Sequence, residues 1–174
     1  MTVATSTTTQ VYRVYIKASA EQIWDGITDP EWTNRYGYTG FVHYDLKPGG
    51  ALKVVPNDEF KASMEAYSGQ PAPEYVIEGE VIESDPPRRL VSTWRMLMDP
   101  TLAAEPFTRL TYEIKPYADG KACSLTIVHE LDGAPMHAAL VAGNDDPTAD
   151  GGGGWAWVLS DLKSLLETGS IIAS

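Results

Sequence analysis

Apolar and polar residues alternate along "QVYRVYIKA" near the start of the chain. Tyr12, Val14 and Ile16 fall on one side, and Val11, Arg13, Tyr15 and Lys17 on the other. A period of two in β-branched and aromatic residues predicts a strand. The period then changes. In "SAEQIWDGITDPEWTNRY", Ile23, Trp24 and Ile27 recur at helical spacing, Ser19 stands where an N-cap belongs, and Gln22 three residues on completes a capping box. Pro30 ends this helix and opens a second short one over 31–35. Alternation returns in successive hairpins. "GFVHYDLKPGGALKVVP" turns at "KPGG", "YVIEGEVIESDPPRRLVSTWRML" at "SDPPR", and "FTRLTYEIKPYADGKACSLTIVHEL" at "ADGK". In the last of these, Leu110, Tyr112 and Ile114 share a face of one arm, and Leu125, Ile127, His129 and Leu131 a face of the other. Residues 57–74 and 98–106 are expected to be loops, the first with at most one helical turn. Residues 132–153, rich in Gly, Asp and Ala, are expected to be a linker with a helical turn over Met136–Val141. The final element is a helix: Trp155, Leu159, Leu162 and Leu166 follow one another at intervals of four, three and four, and Val158 and Leu165 widen the stripe. Asp161, Lys163 and Glu167 are assigned to its polar side, and Gly169 to its C-cap.

These elements define an α+β fold: one strand, two short helices, six more strands joined as antiparallel neighbours, and a long C-terminal helix. The terminal helix must bury its apolar stripe, and only the sheet is large enough to receive it. Twisted antiparallel strands curve, so a sheet gripping one helix can leave room at its middle. Trp24, Tyr36, Trp94, Tyr112 and Trp155 are large enough to line that room, with Met96, Ile127, His129 and Leu159 on the same inward faces. Inward aromatic and Met residues are core first and ligand wall second.

Length and composition narrow the function classes. A chain of 174 residues, 43% hydrophobic and 21% charged, suits one folded domain, taken here as 10–174 after a disordered tail over 1–9. Its 13 basic and 24 acidic residues give a net charge of -11, and no cationic run interrupts that excess. Both nucleic acid and anionic membranes are therefore poor partners. No apolar run approaches the roughly 18 residues of a membrane helix. The Thr-rich start lacks the cationic head and apolar middle of a signal peptide, so a cytoplasmic protein is expected. Cys123, the sole cysteine, cannot form an intrachain disulfide and sits in a strand, which reads as a buried, inert thiol.

The chain resembles the SRPBCC superfamily, also called START-like or helix-grip, and within it the family named after the activator of the heat-shock protein 90 ATPase. The resemblance is carried by "VYIKASAEQIWDGITDPEW" at 14–32, "KPGG" at 47–50, "RRLVSTWRM" at 88–96 and "GWAWVLSDLKSLLETG" at 154–169. It implies a curved seven-stranded antiparallel sheet around the C-terminal helix, with the two short helices closing one end. It implies no single function, since such proteins include ligand carriers, chaperone-associated modules and polyketide cyclases. Residues 57–74 and 97–106 are longer than in the shortest members.

Candidate chemistry is sparse. His43, His129 and His137 form neither HxH nor HExxH and have no Cys cluster beside them, so neither metal nor cofactor is expected. "GGGG" at 151–154 lacks the strand and Lys-Ser/Thr of a phosphate loop. Asp145, Asp146 and Asp150 read as a solvated acidic loop, and Arg109 and Glu113 as cross-strand surface charges. His129 is the one weak catalytic candidate, its alternative being a hydrogen-bonded core histidine. Residues 150–154 could be a hinge for the last helix or a plain linker. The favoured function is a non-enzymatic binding protein for an apolar or aromatic small molecule held between sheet and helix. The alternatives are a cyclase-like enzyme and a co-regulator of a chaperone ATPase. A chaperone or a second copy of the chain is then the protein partner.

Overall fold

The computed structural model describes residues 8–145 and 152–172. The first alternating segment is β1 (Thr9–Ile16). The capping box closes as expected: the Gln22 N–H donates to Ser19 Oγ at 3.2 Å, and the Ser19 N–H to Gln22 Oε1 at 2.8 Å. It starts α1 (Ala20–Thr28), which buries Ile23, Trp24 and Ile27. Asp29 then caps α2 (Pro30–Thr33). The remaining strands are β2 (Phe41–Tyr44), β3 (Ala51–Val55), β4 (Ile77–Asp85), β5 (Arg89–Met96), β6 (Thr108–Tyr117) and β7 (Ala122–Glu130). They form one antiparallel sheet in the order β1-β7-β6-β5-β4-β3-β2. β1 and β2 thus lie at opposite edges, and α1 touches β7, β6 and β2 as the chain crosses between them.

Three further helices stand where loops were expected. Two of them are set by side-chain caps and the third begins at a proline. Asn57 accepts from the Phe60 N–H at 2.8 Å and starts α3 (Asp58–Ser68), which ends at Gly69 and buries no residue fully. Asp99 caps α4 (Pro100–Ala104) through the Thr101 N–H at 2.7 Å. Pro135 opens α5 (Pro135–Ala142), longer than the expected turn.

The last helix, α6 (Gly154–Thr168), buries Trp155, Leu159, Leu162 and Leu165 and packs on β1, α1 and α5. The result is an α+β helix-grip fold, a curved seven-stranded sheet holding a C-terminal helix. Asp161, expected on the polar side of α6, is instead only 1% exposed. Its Oδ2 accepts from the Gly37 N–H at 2.7 Å and its Oδ1 from the Ile172 N–H at 2.9 Å, so the carboxylate pins the helix to the α2–β2 loop and to the chain beyond the helix. Lys163 and Glu167 do lie outside, paired with each other and with the backbone of Tyr15 and Lys17.

Glycine at the start of α6 answers a close approach. Gly154 has φ +74, and a Cβ there would stand 2.6 Å from the Val141 carbonyl oxygen. The Asn144 N–H donates to the Gly152 carbonyl at 2.9 Å, so the end of α5 and the start of α6 lie against each other. The expected hinge extends over Asp150 and Gly151, which with Asp146 lie outside the described residues, as do residues 1–7 of the expected tail. On the outer face of the sheet Arg109 pairs with Glu130, and Arg89 with Glu83 and Glu113.

Asp161→Ala removes a buried carboxylate that accepts from two partly buried backbone N–H groups, so urea unfolding is expected to show a loss of about 1–3 kcal/mol, against less than about 0.5 kcal/mol for the exposed Lys115→Ala.

Candidate functional site

α6 rests on the β1 side of the sheet, and the concave face toward β2 is left uncovered. There a cavity of about 550 Å³ opens. Strand alternation supplies its walls in i,i+2 pairs: Val42 and Tyr44 from β2, Leu52 and Val54 from β3, Trp94 and Met96 from β5. Tyr112 of β6, Trp155 and Val158 of α6, and Leu140 and Val141 of α5 close it from the other side. Among the described lining residues no side chain is Asp, Glu, Lys, Arg, His or Cys; the titratable ones are tyrosines.

Of the residues expected at such a site, Tyr36, Trp94, Met96, Tyr112 and Trp155 meet at this wall. Trp24, Ile127, His129 and Leu159 do not reach it. They belong to the tightly packed core where α1, β7 and α6 come together, and Ile127 and His129 are fully buried. His43, on the outward side of β2, is exposed.

His129 has both ring nitrogens engaged. The Trp155 indole N–H donates to its Nδ1 at 3.0 Å. Indole nitrogen only donates, so Nδ1 carries no proton, Nε2–H donates to Thr108 Oγ1 at 2.8 Å, and the Thr108 hydroxyl in turn donates to the Trp94 carbonyl at 2.7 Å. Burial, and then repulsion from His137, push the His129 pKa down to about 3. It is a neutral structural imidazole behind the cavity wall.

His137 is likewise fully buried, and its role is absent from the sequence reading. Its Nε2 accepts from the Met96 N–H at 2.8 Å, which places the proton on Nδ1, 2.7 Å from Glu105 Oε1. Glu105 also accepts from the backbone N–H groups of Met136 and His137 at 3.0 and 2.9 Å. Burial opposes its charge, but these hydrogen bonds outweigh it and hold the carboxyl below its usual range. The segment after α4 is thereby locked to the start of α5. The available signal was Pro135 at a helix start, with His137 and Val141 one turn apart. Trp94 stands edge-on to both imidazoles, at 5.1 and 6.0 Å between centroids, and joins them to the cavity floor.

The tyrosines differ in their bonding. Tyr36 donates to the Gly26 carbonyl at 2.8 Å, and Tyr38 accepts from the Gly154 N–H at 3.0 Å. Tyr44 and Tyr112 line the same cavity, and neither hydroxyl has a hydrogen-bond partner among the described residues. Tyr44 is a wall residue missed from the sequence, although alternation in "FVHY" puts it beside Val42. Burial raises the phenol pKa of Tyr36, Tyr44 and Tyr112, and Tyr112 adds repulsion at the other two, so all three stay protonated. The described wall residues can hold an apolar molecule and donate hydrogen bonds to it. Among the described residues no group of three or more potential ligands could hold a metal ion, and no helix is long and apolar enough to cross a membrane. Cys123 is buried in the core, and burial raises its thiol pKa.

The depressed His129 sets a pH dependence. The unfolded imidazole binds a proton near 6.5 and the folded one only near 3, so the contribution is full above pH 6.5 and is lost as pH falls toward 3. Between pH 6.5 and 4.5 the protein is expected to lose about 2 kcal/mol more stability than the weaker but non-titrating His129→Gln, compared by urea unfolding at each pH.

Residues 17–167 match the family described as Activator of Hsp90 ATPase homolog 1-like protein. A search of the curated proteins finds no match. Among solved structures, the chain is similar to CV1439 from Chromobacterium violaceum at 22% identity and a TM-score of 0.60, over 92% of this chain and 97% of that one. It is similar to CalU16 from Micromonospora echinospora at 20% identity and a TM-score of 0.51, over 74% of this chain and 63% of CalU16, less than two thirds of that protein. It is also similar to PFC0360w, an HSP90 activator from Plasmodium falciparum, at 18% identity and a TM-score of 0.50, over 70% and 71% of the two chains. At these identities the structural likeness extends to the fold. The match over most of its length shows that the chain belongs to the Activator of Hsp90 ATPase homolog 1-like family.

Proposed function

We propose that the protein binds a small, predominantly apolar molecule in the cavity between β2–β6 and α6. The observation that carries this reading is the cavity itself: about 550 Å³ with no charged side chain among its described lining residues. That volume is within the roughly 300–1,000 Å³ that holds a drug-sized ligand. Tyr38 and Leu140 line the cavity and are also half exposed, which puts them where it meets solvent. A ligand covering the apolar wall would recover about 25 cal/mol for each Å² removed from water. Cyclase-like chemistry has less support, because the one candidate imidazole, His129, is sealed behind Trp155.

A second reading, contact with a chaperone ATPase, is favoured by the family's description and by the printed name of PFC0360w. The exposed Tyr67, Tyr38 and Leu140 offer apolar surface for it. Cytoplasmic residence fits either reading.

Titration with Nile red, a neutral apolar dye, separates the two. Saturable emission at one equivalent is expected, with about 2.7 kcal/mol of added stability at a hundredfold excess over Kd. Met98→Trp, which puts a larger side chain into the wall, should weaken the dye about tenfold or more. Absence of saturable binding, with no retained small molecule in native mass spectra, would remove the ligand-site reading.

A further inference from the structure

Several polar side chains that line the cavity are satisfied within the protein. Tyr36 and Tyr38 have backbone partners, Thr33 Oγ1 donates to the Gly40 carbonyl at 2.9 Å, and Thr39 Oγ1 accepts from Asn57 at 3.0 Å. Three donors on the wall break that pattern: the hydroxyls of Tyr44 and Tyr112 and the indole N–H of Trp94. None has a hydrogen-bond partner among the described residues. All three stay within reach of solvent, since none is among the side-chain atoms that are buried without a partner, and a polar group that becomes buried needs a partner. Water can reach these groups in the empty cavity, but an apolar occupant that covered the wall would strip it away.

The bonding capacities of the three groups decide what could replace that water. An indole N–H can only donate, and a phenol held in its neutral form donates best. The matching ligand atom is therefore an acceptor. Charge is constrained independently. With no charged side chain among the described lining residues, a carboxylate or ammonium would lose its hydration with nothing to balance it.

We propose that the cavity selects an uncharged, largely apolar ligand bearing a carbonyl-type oxygen acceptor, such as an aryl ketone or quinone, and that Tyr44, Tyr112 and Trp94 are the donors that recognise that oxygen. The inference rests on the cavity being a ligand site, and adds to it the polarity and charge of the ligand. A pure hydrocarbon of the same shape fills the space but strands the donors. An ionised acid of the same shape is excluded by desolvation.

Three probes with one tricyclic skeleton test this by displacement of Nile red at pH 7.5: fluorene, fluoren-9-one and fluorene-9-carboxylate. The ketone is expected to bind about tenfold tighter than the hydrocarbon, although the hydrocarbon is the more averse to water, and the carboxylate at least about a hundredfold weaker than the ketone. Tyr44→Phe combined with Tyr112→Phe removes only hydroxyls. In it the ketone's advantage over fluorene should shrink to what the remaining Trp94 N–H supplies, about threefold or less, while fluorene binds as well as before or better. The single Phe variants should give intermediate ratios. The comparison within the wild-type protein stands even if the double variant fails to fold. Equal or weaker binding of the ketone, an undiminished advantage in the double variant, or a carboxylate as tight as the ketone would overturn the inference and leave the ligand site standing. Failure of Nile red and all three probes to bind would overturn the ligand site, and the inference with it.

Discussion

Everything in this molecule depends on where the C-terminal helix comes to rest. Its apolar stripe must leave water, and the sheet offers a surface wider than one helix can cover. α6 settles on the β1 side, where Leu159 and Leu162 are nearly fully buried. Other contacts hold it there: Asp161 receives two backbone N–H groups, Trp155 donates to His129, and the glycines at its start let it meet α5. A helix pinned so firmly to one side leaves the other side of the sheet bare. The cavity follows from that asymmetry.

The floor of the cavity is stiffened by polar groups that never face it. His129 and His137 flank Trp94, and each uses both ring nitrogens. A fully satisfied buried network favours a single arrangement over alternatives of similar packing. Trp94 and Met96 are thereby fixed from behind while their other surfaces meet the cavity. The same division separates the tyrosines: those that position backbone are bonded, and those that only face the open space are not.

Much of this was legible in the chain. The capping box at Ser19 and Gln22 forms as spaced, period-two alternation gave the faces of Trp94, Met96 and Tyr112, and the terminal stripe is buried at Trp155, Leu159, Leu162 and Leu165 and half-buried at Val158 and Leu166. The failures have physical causes. α3 buries no residue fully, so its apolar face is too slight to detect, and only its caps, Asn57 and Gly69, mark it. Asp161 lies on the helix where a solvated carboxylate was expected, but its partners are backbone groups at Gly37 and Ile172, distant in sequence and invisible to periodicity. Inward-facing alternation also could not separate cavity wall from closed core. Ile127 and His129 point the same way as the wall residues, yet they lie in the packed core that includes α6. Which inward positions stay open is decided by where the helix rests, a property of the whole fold.

The central claim is that an occupant lies inside the grip, between helix and sheet. Nuclear Overhauser contacts between protons of bound Nile red and selectively labelled methyl groups test it most directly. The account predicts contacts to Val54, Ile77, Val141 and Val158, and none to Val11 or Val128 on β1 and β7. Contacts confined to Val11 and Val128, with the four cavity methyls silent, would contradict it.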